Sequence, residues 1–292
     1  MTGTQTFERG FGKPLAIYSL SITALLIALL FFGGSLRRFV RESLMQSVTS
    51  THYEILCPPG ALSQEAMMEF AKMREPLFVS LDKKLGDAVS NTEIRVVFDP
   101  NIPGPTVGDP DQQPYSVTGT TIRTRLNGRV PQLSAAADGE ALLHATWGRP
   151  GNAQIARWTA IWLVGEWRGA EIGMAAAQVE QRLGHKKVVS ILRDPGSEIS
   201  SPDDQALLGA AWVSEIAEFG GAETVRKLYA TKMPHPNVAA VANALGTTPL
   251  ELDRKWQLWM YAYLAGMPPV PHDSGMPMNM PMAGGHSVTG DR

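Results

Sequence analysis

THYEILCPPGALSQEAMMEFAKMREPLFVSLDKKLGDAVSNTEIRVVFDP, residues 51–100, decides the fold class. Residues 52–56 alternate in polarity like a strand and stop at the turn Cys57-Pro58-Pro59-Gly60. Ser63 with Glu65 opens a helix that runs to Leu85, with Met67, Phe70, Met73, Leu77 and Leu81 on one face, and Gly86 ends it. Residues 93–98 form a second strand, closed by Asp99-Pro100. Beyond it, residues 100–114 are rich in Pro, Gly and Asp and read as an exposed loop, and short strands at 115–117 and 120–125 flank a turn at Gly119. From Ala135 the apolar spacing turns helical: 138–147, 155–169 and 173–183, then a loop at 190–203, then helices at 204–219, 222–231, 236–245 and 249–265. Strands come first and helices follow, which predicts an α+β domain: a small N-terminal sheet with a helix, then a helical C-terminal half. There is no internal repeat.

The bulk numbers exclude several classes. With 26 Lys+Arg against 28 Asp+Glu in 292 residues, nothing marks a nucleic-acid partner. An apolar fraction of 44% supports a sizeable core. The single cysteine, Cys57, rules out an internal disulfide framework and a cysteine-based zinc site, and its place at a strand end suits a small buried hydrophobe.

Between Lys13 and Arg37 no residue is charged. The stretch 15–36, LAIYSLSITALLIALLFFGGSL, would be about 33 Å long as a helix, enough to cross the hydrocarbon core. It is longer than a signal peptide's apolar region and runs directly into Arg37, Arg38 and Arg41, so the expectation is a retained single-pass transmembrane helix rather than a signal peptide. The expected organisation is a flank (1–14), the membrane helix (15–36), a short helical stem (37–50), the globular domain (51–265) and a tail (266–292). Arg9 and Lys13 against Arg37, Arg38 and Arg41 lean toward a cytoplasmic domain by the positive-inside rule.

The tail, GMPPVPHDSGMPMNMPMAGGHSVTGDR, has almost no large apolar residue except methionine and reads as disordered. Met276, Met278, Met280 and Met282 alternate between His272 and His286, and thioether with imidazole suits Cu(I).

The segment from His52 to Leu264 resembles the gluzincin-type peptidases of the MA metallopeptidase clan, in their small bacterial membrane-anchored or secreted branch. THYEILCPPG is similar to the family's opening strand and TEIRVVFDP to its next. GEALLHATW stands where its metal-binding helix should be, and IARWTAIWLVGEWRG where the helix with the third ligand should be. ALLGAAWVSEIAEFGGAETVRKLY and NALGTTPLELDRKWQLWM look like its C-terminal helices. The resemblance implies a zincin-like fold and a domain on the periplasmic side of a bacterial inner membrane, and that side is the expectation adopted.

It also implies a zinc site, which needs two histidines four apart on one helix, a glutamate base beside the first, and a third ligand roughly 20 residues on. This chain departs at most of those points. His144 matches the second histidine, but Glu140 stands at the first and Ala141 at the base. Glu166 is the nearest third ligand, with Gly165 at the stricter match, and no tyrosine stands near Asp203 and Asp204 to stabilise an oxyanion. Loss of a general base alone costs about 10²–10⁴-fold in rate.

The expected function is therefore non-catalytic. A membrane-anchored, peptidase-like domain would bind other proteins as an accessory or scaffold subunit of a respiratory, photosynthetic or secretory membrane assembly. Trp147, Trp162 and Trp167 are the candidate partner-binding residues, since Trp is enriched in interface hot spots. No cofactor is expected. Two alternatives stand: an atypical metallopeptidase holding zinc through Glu140, His144 and Glu166, and a copper-binding protein acting through the Met/His tail.

Overall fold

The computed structural model describes residues 41–100, 102, 114–126, 131–184, 186, 188–192, 199, 201–233 and 237–266. Among them a mixed five-stranded sheet has the order β1-β2-β3-β5-β4. Its strands are β1 (Gln46–Thr49), β2 (Tyr53–Cys57), β3 (Ile94–Phe98), β4 (Tyr115–Thr118) and β5 (Thr121–Thr124). The central strands β2, β3 and β5 run parallel, with Ile55 opposite Val96 and Val96 opposite Ile122. Parallel strands are covered on both faces, which is why YEILC and IRVVF are almost continuously apolar and buried. The outer strands β1 and β4 pair antiparallel with their neighbours.

Between β2 and β3 lies α1 (Gln64–Lys84). The Ser63 hydroxyl caps it by accepting from the Ala66 N–H at 3.1 Å, with Glu65 in the first turn and Lys83 and Lys84 in the last, each complementing the helix dipole. After the sheet the chain is helical: α2 (Ala135–Trp147), α3 (Ala153–Val164), α4 (Ile172–Leu183), α5 (Val188–Leu192), α6 (Pro202–Ala230), α7 (Val238–Leu245) and α8 (Pro249–Leu264). The α+β order of the sequence reading is thus what the chain adopts.

Two close approaches hold the helices together. A Cβ on Gly139 of α2 would lie 2.9 Å from the Ala160 carbonyl of α3, and one on Gly209 of α6 would lie 2.2 Å from the Trp158 ring. The bare Gly209 backbone leaves room for Trp158, which meets Trp212 edge-on at 6.3 Å in the fully buried centre of the helical half.

Several expectations need correction. Among the described residues no helix is long and apolar enough to cross a membrane, so the transmembrane helix expected as part of the fold is not among its elements. The stretch 15–36 that carried that expectation lies outside the described residues, as do the flank 1–14 and the tail 267–292 with its Met/His set. Most of the expected loop 100–114 lies outside them too.

The stem is not helical to Ser50. Gln46–Thr49 is a strand, with Gln46 opposite Cys57, and its alternation of half-buried and exposed side chains suits an outer strand. The helix expected over 155–169 stops at Val164, because Gly165 takes the left-handed conformation (φ 87°) and Glu166–Trp167 and Ala170–Glu171 then form a two-stranded hairpin, β6 and β7. Part of the loop expected at 190–203 is α5. The two helices expected at 204–219 and 222–231 are both present, joined within α6 across a kink at Gly221, whose φ of 75° and ψ of 171° are not helical.

Candidate functional site

The helix α2 carries Glu140 and His144 one turn apart, so its placement governs the site. Its start is pinned by a buried polar network. The Asp138 carboxylate, wholly buried, accepts from the Tyr53 hydroxyl of β2 at 2.9 Å and pairs with Arg74 of α1. Arg74 also donates to the carbonyls of Leu133 (2.8 Å) and Ser134 (3.1 Å), just before the helix. The two buried charges offset each other, as a buried ion pair requires. The network fixes α2 against the sheet and sets which way its next turns face.

Glu140 faces the outer strand β4. The Tyr115 side chain and the Arg157 guanidinium of α3 lie close enough to act on its charge, while Arg157 also sits 4.8 Å over the Tyr115 ring. Burial outweighs both effects and pushes the Glu140 carboxyl up to about 7. One turn on, His144 is half-buried. Burial lowers its pKa first, the Gly119 carbonyl at the β4–β5 turn favours the protonated ring, and the nearby Arg149 charge disfavours it. Its Nε2 is buried without a hydrogen-bond partner. Tyr229, near the end of α6, packs against the end of α2: its hydroxyl donates to the Gly148 carbonyl at 3.2 Å and its ring meets Trp147 edge-on at 5.5 Å. The Glu140 charge adds to burial in raising the Tyr229 pKa.

The expected metal set is not assembled. Glu166 sits on β6 beyond the Gly165 stop and is exposed, and the charge acting with it is Lys84, whose Nζ donates to the Leu163 and Val164 carbonyls at the end of α3 (2.9 and 2.7 Å). Among the described residues no three His, Cys, Asp or Glu side chains come together as a metal ion would need. His144 Nε2 is a usable donor. Glu140, in contrast, holds its proton to near neutrality and is engaged by Tyr115 and Arg157. Ala141, where the resemblance would place a base, is fully buried. These residues do not fit a zinc site.

The tryptophans divide. Trp167 is buried against the core with Arg168 5.5 Å over its ring. Trp147 and Trp162 are only half-buried, Trp147 against Tyr229 and Trp162 lining cavities on two sides.

Tyr115, Arg157 and Tyr229 escaped the sequence reading. They lie on β4, α3 and α6, far apart in the chain, and no spacing links them to Glu140. The Arg-then-Trp run of α3 was visible only as an apolar helix face.

Neither a protein-family model, nor a curated protein, nor a solved structure matches the chain.

Proposed function

We propose that this chain is a gluzincin-like domain that acts without catalysis, by binding protein as an accessory or scaffold subunit of a larger assembly. The observation that carries the reading is the state of the α2 helix. The position that the resemblance gives to the base is a buried alanine, and the Glu140 carboxyl beside it is acted on by Tyr115 and Arg157 rather than left open for water or metal. The resemblance is supported by the order of elements: parallel strands with an antiparallel outer strand, then the helix bearing Glu140 and His144, then a second helix packed closely on it at Gly139 and Ala160.

Protein binding is supported by β4. It is an outer strand among those described, it lies beside α2, and Ser116 and Thr118 are exposed along it. An outer strand next to a cleft offers backbone groups to an extended segment of a partner.

The test is to purify the chain from its native source in mild conditions and identify what accompanies it, alongside a peptidase assay. Stoichiometric protein partners with no peptide cleavage are expected. Peptide hydrolysis that a chelator abolishes and His144→Ala removes would overturn the reading, as would recovery as a lone monomer.

A further inference from the structure

A cavity of about 280 Å³ opens between the end of α3, the start of α4, the middle of α6 and the end of α8. Its walls combine three aromatic rings, Trp162, Trp259 and Tyr263, with two carboxylates, Glu171 and Glu218. The rings are held in place: Trp259 and Tyr263 lie 4.5 Å apart at 51°, and Trp256 stacks behind Trp259 at 5.8 Å. The Tyr263 ring occupies the space above Gly173, where a Cβ would come within 2.2 Å of it.

Among the described residues the hydrogen-bond partners of the carboxylates are neutral. The Tyr263 hydroxyl donates to Glu171 and the Trp259 Nε1–H to Glu218, each at 2.8 Å, and among the described residues no ion pair engages either. Burial raises the Glu218 pKa, the Trp259 bond lowers it, and the Glu171 charge raises it further. One turn earlier on α6 is Glu215, 1% exposed, whose Oε2 has no hydrogen-bond partner and whose carboxyl is pushed up to about 8 by burial, against the charge of Lys255. Among the described residues, then, the cavity presents two carboxylates, Glu171 and Glu218, that no Lys or Arg side chain pairs with.

We propose that this cavity binds an organic cation, a primary ammonium or guanidinium group seated against the aromatic rings and paired with Glu171 and Glu218. Aromatic faces attract cations through their quadrupole, and desolvated carboxylates strengthen the attraction. At about 30 Å³ per water the space holds roughly nine waters, enough for a lysine or arginine side chain. Glu171 is exposed, so the group can enter from solvent as a free amine or as a side chain of a polypeptide. The site uses other elements than α2 and β4, and it stands whether or not the cleft there is catalytic.

The test titrates the full chain with blocked lysine, blocked norleucine of the same length, butylammonium and a lysine-containing peptide, read by tryptophan fluorescence and calorimetry. Saturable binding of blocked lysine is expected, absent with norleucine and weakened about tenfold or more in Glu171→Gln and Glu218→Gln, since each removes a charged partner. Glu223→Gln, a surface change on the same helix, should bind as the parent does. Glu171→Gln alters an exposed side chain and keeps the test open should Glu218→Gln fold poorly. A peptide that binds much more tightly than butylammonium assigns the cation to a polypeptide, and equal binding assigns it to a small amine; both support the site. No saturation with any cation, or equal binding of norleucine, overturns it.

Discussion

Glu140→Gln should make the protein more stable at alkaline pH and leave it unchanged in acid. The unfolded chain releases this proton near 4.5, while the folded chain keeps it to about 7 because burial opposes the charge. Each pKa unit corresponds to about 1.4 kcal/mol, so the shift amounts to about 3 kcal/mol. Its sign follows from proton counting. Between the two values the folded state holds more protons than the unfolded one, so stability falls as pH rises. The contribution is fully present below 4.5, is lost progressively up to about 7, and stays lost above. Glutamine carries no charge at any pH. Urea denaturation of both proteins at several points from about pH 4 to 8.5 should therefore give a difference that starts near zero and grows to about 3 kcal/mol in favour of the variant. Glu215 has a shift of the same sign, but it is present in both proteins and cancels in the difference. The groups facing Glu140 are Arg157, Tyr115 and Tyr229. The substitution alters none of these three, so the slope of the difference belongs to Glu140. A pH-independent difference, or a variant less stable than the parent at pH 8, would refute the reasoning and imply an open, solvated carboxylate at this position.

Asp138→Ala should cost about 3–5 kcal/mol by equilibrium denaturation, because it leaves Arg74 and the Tyr53 hydroxyl without their buried acceptor. Gly209→Ala should destabilise by about 1–3 kcal/mol, since the added methyl meets the Trp158 ring, and near-ultraviolet dichroism of the Trp158–Trp212 pair should change with it. Dialysis of the full chain against a strong chelator should leave the melting temperature unmoved, since among the described residues no three His, Cys, Asp or Glu side chains come together; a fall of several degrees would indicate a structural metal. Lys84→Met should loosen the end of α3 by about 1–2 kcal/mol, because the Leu163 and Val164 carbonyls lose the ammonium that caps them.

Much of the fold was legible where local rules act alone. Strand alternation, the Ser63 cap, the Gly86 stop and the apolar spacing of the helical half each depend on neighbours within a turn or two, and α1, β3 and α8 fall within a residue or two of their expected bounds. Where tertiary pairing decides, the sequence reading missed. Gln46–Thr49 is a strand because β2 offers it a partner, and a four-residue segment has no strong preference of its own. The hairpin at 166–171 depends on Gly165 ending α3 in the left-handed region, which took Glu166 off the helix where a third ligand was sought.

The same division holds for the sites. The sequence by itself determined that Glu140, Ala141 and His144 share one helix, because spacing along a helix is a local property. Only the tertiary structure decided what surrounds them. Tyr115, Arg157 and Tyr229 reach the α2 cleft, and Glu171, Glu218, Trp162, Trp259 and Tyr263 gather at the second cavity, through the packing of elements far apart in the chain. Charge, burial and hydrogen bonding at those groups depend on through-space neighbours, and one-dimensional order does not contain them.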